Sequence, residues 1–496
     1  MRAALLALVI MKLVLHAFAA PHYGYFRDEL YYLASTEHLA WGYVEHPPLS
    51  IALLAVWRAI SGDSLPALRA LPALAGAGQM LLAAVFTRRL GGGAFAAILA
   101  ATCVLAAPVY LGTQHVYSMN AFDQLFWVLI AFLLDRALER GTTQRWLALG
   151  IVLGLALLNK LSVAWILAGL GVGLVFTPHR RVLGTRGPWI AAGVAAAFIL
   201  PHVVWQMRTG WPLFEFMENA ARNKMVRTSP LAFLGDQVLD MLPFTAPIWI
   251  AGLIACLRRP GWRHWGIAYL VVLALLLARG TSRSGYLVPA YPMLLAPGAV
   301  VVARFVRWRS LRAGMIALLL VGMIALMPFA LPLWPPETFA RYARALGIEP
   351  QTEERAAVGI LPQHYADQFG WQELAQTVAR VYHTLPKEEQ AHCVIYGQNY
   401  GEAGAIDVLG RKLGLPPAIS GHNSYWLWGP GDAQADVVIV IGGDRDDNAA
   451  VFESLEAVTV HECRYCRPFE SGLTIYVGRK MRRPITELWP QLKEYI

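Results

Sequence analysis

From Met1 to about Trp334 the chain is a succession of long apolar runs parted by short polar or basic segments, and this pattern limits the fold more than any other feature. A helix crosses a bilayer with roughly 17–25 predominantly apolar residues, and only self-satisfied backbone is tolerated there. About eleven windows meet that description, near 3–20, 67–87, 93–111, 121–138, 146–158, 161–177, 188–206, 243–257, 264–279, 287–304 and 313–332. From Pro335 onward Asp and Glu return and the apolar runs shorten. Only 15% of the 496 residues are charged, against about 25% in soluble proteins, and the deficit is concentrated before Pro335. The expected organisation is a polytopic α-helical membrane unit, 1–334, followed by a water-soluble α/β unit, 335–496.

The basic residues orient the spans. Arg88 and Arg89, Arg136 with Arg140 and Arg145, His179 to Arg181 with Arg186, Arg258 with Arg259 and Arg263, and Arg304 to Arg312 fall in alternate loops. Positive-inside bias places those loops and the N-terminus in the cytoplasm. Segments 21–66, 112–120, 207–242, 279–286 and everything after 332 are then expected outside. The formal net charge of +9 does not indicate nucleic acid, because the excess Arg sits in these loops and forms no binding face. A cleavable signal is an alternative reading of the first span, given the small residues up to Ala20, but Lys12 interrupts the apolar stretch and favours an anchor.

Outside, acids and cations gather at one depth. Asp28 and Glu29 lie in "GYFRDELYY" beside a span, and Asp123 in "HVYSMNAFDQLFW" heads the fourth. Helix capping accounts for either acid alone; two at the mouths of two helices point to a site. Lys160 sits in a minimal turn, "LLNKLSV", and Arg283 and Tyr286 in "ARGTSRSGYLVPAYP". Snorkelling explains Arg279, while a cation hemmed in by spans is costly and often functional. Cations hold a phosphate as it departs, and a carboxylate takes a proton from an attacking group, worth about 10²–10⁴ in rate. His46, with Pro47 and Pro48, shapes the first loop or touches a ligand, as Tyr31 and Tyr32 do. The basic amphipathic stretch 206–230, with Arg208, Arg222, Lys224 and Arg227, is a surface helix or a lid.

At "GYFRDELYYLA", "WGYVEHPPL", "YSMNAFDQLFW", "NKLS", "WQMRTGWPLFEF" and "GYLVPAYPMLLA" the sequence resembles the bacterial branch of the protein O-mannosyltransferase family. That family lies within the GT-C superfamily, which also holds the aminoarabinose transferase acting on lipid A. The resemblance implies a bacterial inner-membrane glycosyltransferase with an inverting reaction. It would move a hexose or pentose from a polyprenyl-phosphate carrier to a lipid, polysaccharide or protein at the extracytoplasmic face. By position Asp28 would be the base or acceptor-orienting carboxylate and Glu29 its partner. Asp123 would orient the donor, and Lys160, Arg283 and Tyr286 would meet its phosphate. A divalent metal is a cofactor in some relatives, with Asp28, Asp123 and His202, aided by Glu218, as its candidate ligands here. The rival reading, a transporter, calls for ionisable residues near the midplane and repeated halves. Neither is apparent, and a non-catalytic scaffold leaves the paired acids unexplained.

In the soluble unit "CVIYG" (393–397), "ADVVIVIG" (435–442), "AVTVHE" (457–462) and "LTIYVG" (473–478) read as strands, with a helix over "YGEAGAIDVLGRKLG". "YGQNYGEAGA" lacks the G-x-G-x-x-G spacing of a phosphate loop. "SGHNSYWLWGPG" puts His422, Tyr425, Trp426 and Trp428 on a loop suited to packing or sugar stacking. Cys103 and Cys256 fall in apolar spans as packing residues. Outside the cytoplasm a disulfide involving Cys463 or Cys466 is favoured, leaving Cys393 odd; a zinc site would need a ligand that the spacing does not supply.

Overall fold

The computed structural model describes residues 1–352, 354–431 and 436–496. Every one of the apolar windows falls on a helix. By length and composition four of the described helices can cross a bilayer: Arg2–Ala19, Leu65–Arg89, Arg186–Arg208 and Arg309–Phe329. The number rises to 7 when each of three bent pairs is counted as one span, so the expected eleven are not reproduced on that measure. Proline is one physical reason. At Pro108 the missing N–H and fixed φ end Ala94–Ala106 and start a separate short helix, Pro108–Thr113. An unexpected apolar helix, Leu49–Ser61, arises inside segment 21–66, which was expected to form a loop.

Helix packing in this part relies on small residues, as expected where lipid removes the hydrophobic drive between helices. A Cβ on Gly252 would stand 1.9 Å from the Leu294 carbonyl, and one on Gly298 2.0 Å from that of Ile248. The two glycines therefore let Ala246–Arg258 and Pro292–Phe305 touch backbone to backbone. Trp127, Trp265 and Phe86 fill the interior of the bundle.

The C-terminal part carries a five-stranded mixed sheet: β1 (Cys393–Gly397), β2 (Ala418–Ile419), β3 (Val437–Ile441), β4 (Phe452–His461) and β5 (Leu473–Met481), in the order β2-β1-β3-β5-β4. β1 pairs parallel with β2 and β3, while β5 runs antiparallel to both β3 and β4. β3 reads "VVIVI" and is buried along its length, the mark of a strand covered on both faces; β4, at the edge, is largely exposed. Ala435, the first residue of the expected second strand, 435–442, lies outside the described residues. The sequence pattern did not reveal β2, which is only two residues long. Cys463 is disulfide-bonded to Cys466, and Cys393 is buried and free.

The composition boundary near Pro335 does not separate two cores. One apolar cluster joins Leu30, Tyr31 and Leu33 of the helix Arg27–Ser35 to Trp371, Ala403, Ile406, Ile439 and Val477. The helix Tyr400–Val408, capped by Asn399 Oδ1 accepting from the N–H groups of Gly401 (2.8 Å) and Glu402 (3.1 Å), lies against Arg27–Ser35. Burial of shared apolar surface stabilises this contact and puts the sheet and the first loop on one side of the helical bundle.

Candidate active site

Phe26 caps the helix Arg27–Ser35, and Glu29, three residues on, accepts from the Phe26 N–H at 2.9 Å, one arm of a capping arrangement. Its other contacts leave it nothing to spare. Arg69 donates Nε to Oε1 at 3.1 Å and a terminal nitrogen to Oε2 at 2.9 Å, and the Tyr117 N–H adds a bond at 2.8 Å. Arg69 also donates to the carbonyls of Ala20 (3.0 Å) and Gly24 (2.8 Å). With Glu29 0% and Arg69 1% exposed, the pair is a clamp joining the first loop, the second loop and the helix Leu65–Arg89. Glu29 was expected to share the chemistry of Asp28; its geometry is that of a structural carboxylate.

Successive side chains on a helix diverge, so fixing Glu29 inward turns Asp28 outward. The Asp28 side chain is 37% exposed, with Arg27 Nε 3.9 Å from Oδ1. The Tyr400 hydroxyl donates to the same oxygen at 2.8 Å. Asp28 lines a cavity of about 1310 Å³ together with Ser118, Asn120, Arg283, Asp367 and Gln368. Beside it Glu354 gathers four cations: Arg467 at 2.6 Å, Arg283 at 3.3 Å, and Arg27 and Lys224 each at 3.7 Å. Burial by itself would raise the Glu354 carboxyl. The Lys224 and Arg27 charges and the Arg467 hydrogen bond outweigh it and hold the group well below the usual carboxylate range. Burial raises Asp367 against the pull of Arg27 and Arg467.

Asp123 occupies a different environment. It is 2% exposed, accepts from Trp127 Nε1 at 2.9 Å and Ser162 Oγ at 3.0 Å, and stands 3.8 Å from Lys160 Nζ. Lys160 donates to Asn120 Oδ1 at 2.7 Å and lies over the Tyr286 ring at 5.3 Å. Asn120 faces the cavity, so Asp123 reaches it only through Lys160 and Asn120. Of the expected residues Asp28 and Arg283 line the cavity, whereas Asp123, Lys160 and Tyr286 form a separate group joined to it through Asn120.

The remaining expected residues mostly pack. Tyr31 donates to Glu45 at 3.2 Å, accepts from the Ser424 N–H, and its ring meets Tyr400, Tyr425 and Trp428. Tyr32 stacks on His46, whose Nδ1 donates to the Pro47 carbonyl at 2.9 Å. Burial pushes His46 down to about 4 and the adjacent Glu45 carboxyl up to about 7. His202 donates to the Trp41 carbonyl at 2.9 Å, and Glu218 pairs with Arg222 at 2.6 Å on the surface. Among the described residues no group of three or more His, Cys, Asp and Glu is placed to hold a metal ion; Asp28, Asp123 and His202 are not assembled as a ligand set. Tyr425, Trp426 and Trp428 pack against Tyr31, Trp489 and His38, which is the packing role and not a sugar platform. Lys224, in the expected lid, is stitched to the C-terminal part through its carbonyl, which accepts from the Arg355 N–H at 2.9 Å.

Arg27, Tyr400, Glu354, Asp367 and Arg467 were not anticipated. Only Arg27, next to Asp28, carried a local signal; the others come from 354–467, where nothing in the sequence marks a polar residue as facing the membrane part.

A family model described as dolichyl-phosphate-mannose-protein mannosyltransferase matches residues 45–205. The undecaprenyl phosphate-alpha-4-amino-4-deoxy-L-arabinose arabinosyl transferase 2 of Pseudomonas fluorescens is 27% identical over 310 residues, covering 58% of this chain and 52% of that protein. The lipid A galacturonosyltransferase RgtD of Rhizobium johnstonii is 27% identical over 186 residues, 37% and 39% of the respective lengths. The chain thus spans about half the length, or less, of the curated relatives it matches. The solved structure of ArnT from Cupriavidus metallidurans in the apo state superposes over 95% of this chain and 97% of that one, with TM-score 0.61 at 16% identity. The same protein bound to undecaprenyl phosphate gives 0.58 over the same shares. The fold is therefore that of ArnT, and the resemblance to the GT-C glycosyltransferases read from the loop motifs is borne out.

Proposed function

We propose that this chain is a membrane glycosyltransferase that moves a sugar from a polyprenyl-phosphate carrier to an acceptor, with inversion, at the extracytoplasmic face of the bacterial inner membrane. The observation that carries the reading is Asp28, a half-exposed carboxylate on the wall of a large cavity that Arg283 also lines. In a single displacement Asp28 takes the proton of an acceptor hydroxyl as its oxygen bonds to the anomeric carbon. The bond from that carbon to the carrier phosphate breaks, and the phosphate leaves with the electron pair. Arg283, with Lys160 and Tyr286 behind Asn120, meets the departing charge, which needs no separate acid. An acceptor that is already a phosphate would use Asp28 to orient it. The donor set at Asp28 consists of a guanidinium and a phenol, which does not fit a metal site, and no step is routed through one.

Undecaprenyl phosphate in the names of the arabinosyl transferase and of the bound ArnT structure supports a carrier of that class, and lipid A in the name of RgtD supports a lipid acceptor. Packing of Tyr400–Val408 on Arg27–Ser35 supports one side for the C-terminal unit and the first loop, and the loop charges favour the outer one. The test is transfer from an undecaprenyl-phosphate sugar by the full-length protein in lipid. Asp28→Asn should abolish transfer while insertion and melting stay normal; retained transfer would overturn the assignment.

A further inference from the structure

The donor to Asp28 comes from the far end of the chain. The Tyr400 hydroxyl and Asp28 Oδ1 are separated by 372 residues in sequence and 2.8 Å in space. Tyr400 is buried, its ring set against Tyr31 at 4.9 Å and His422 at 4.8 Å, with the Arg27 guanidinium 5.2 Å from the ring centre. The approach depends on two glycines. A Cβ on Gly401 would come within 2.6 Å of Arg27 Cγ, and one on Gly404 within 3.1 Å of the Leu30 backbone. Asn399 fixes the start of the helix, so the phenol has little freedom to point elsewhere.

Among the described residues, the contacts made to the Asp28 carboxylate fall on Oδ1: the phenol and the Arg27 Nε. Among the described residues Oδ2 makes no such contact, and Asp28 lines the cavity. An aspartate side chain that is 37% exposed samples several rotamers unless something holds it, and a carboxylate that must meet an acceptor within hydrogen-bond reach benefits from being held beforehand. A docking bond alone is a poor explanation for this arrangement. The two surfaces already share a buried apolar cluster, and a hydrogen bond to a partly solvated group adds little to such a contact.

We infer that Tyr400 is a positioning residue for the transfer reaction: its hydroxyl holds Asp28 Oδ1 so that Oδ2 faces the acceptor, and the C-terminal unit thereby completes the active site. This rests on the reading of Asp28 as base or acceptor-orienting carboxylate. Tyr400→Phe keeps the ring and deletes the donor. In full-length protein reconstituted in lipid with an undecaprenyl-phosphate sugar, kcat should fall about tenfold, the size expected for one bond to a charged group. KM for the donor should stay within about twofold, and the melting midpoint should not move. Gly404→Val, which separates the helices, should reproduce the loss of kcat and lower the melting midpoint as well. An unchanged kcat in Tyr400→Phe would overturn the inference, and so would a loss that comes with a lowered melting midpoint, which would make the bond a docking contact. Failure of the underlying reading is distinguishable, since Asp28→Asn would then retain transfer whatever Tyr400→Phe does.

Discussion

Asp28 and Asp123 each stand near the start of a helix, Arg27–Ser35 and Met119–Glu139, yet their surroundings differ. Asp28 keeps 37% of its side chain open and takes one hydrogen bond; Asp123 keeps 2% and is held by Trp127, Ser162 and Lys160. A carboxylate whose lone pairs are occupied has few left for a substrate, whereas one held by a single donor has one oxygen free. Like residues at like positions thus meet unlike surroundings: Asp28 opens to the cavity, the placement that the proposed role requires, while Asp123 is enclosed beside Lys160 behind Asn120. Glu29, adjacent to Asp28, repeats the contrast within one helical turn.

The comparison breaks first on activity. Asp28→Asn should lower kcat by about 10²–10⁴ with an unchanged melting midpoint; an effect on melting alone would put Asp28 in the structural class with Glu29. Glu29→Gln or Arg69→Met strands a buried charge and should destabilise the protein by about 3–5 kcal/mol, read by chemical unfolding in detergent. Full stability in both would mean the clamp is dispensable. Asp123→Asn retains some of the hydrogen bonds but removes the partner of Lys160, so a smaller cost of about 1–3 kcal/mol is expected, shared between stability and donor affinity. A loss of kcat as large as that of Asp28→Asn, with both of those intact, would make Asp123 a direct participant.

The smallest effects concern pH and have opposite signs. Glu354 is held below its ordinary 4.5, so it contributes stability above that value that is lost as the solution is acidified. Glu45 is raised from 4.5 to about 7, so it contributes stability below 4.5 that is lost as the pH rises through about 7. Glu354→Gln should therefore flatten the acid side of the melting curve and Glu45→Gln the neutral side, by a few degrees each. Equal effects of both variants at every pH would remove the electrostatic account.

Much of this was legible in the residues themselves. The apolar windows matched helices because a membrane-length run must satisfy its own backbone, and the "CVIYG" and "LTIYVG" strands announced themselves by apolar, β-branched content. The loop motifs singled out Asp28, which lines the cavity, and Asp123, which is buried beside Lys160. Missed were the two-residue β2, too short to carry a period, and the Leu49–Ser61 helix, masked by the polar loop around it. Also missed was the role of Glu29, since nothing in "RDEL" says which acid meets Arg69.

Taken alone, the sequence determined the apolar helices, the strands of the C-terminal sheet and, through its loop motifs, the GT-C resemblance, because each is written in local composition, periodicity or motif. Only the tertiary structure decided that Asp28 faces a cavity while Glu29 is clamped, that Asp123 is sealed behind Lys160, and that Glu354, Tyr400 and Arg467 return to the first loop. Those outcomes depend on pairings between residues distant in sequence, 40 positions apart for Arg69 and Glu29 and 372 for Tyr400 and Asp28. Such pairings are set by how whole helices pack and leave no mark in either partner's own neighbourhood.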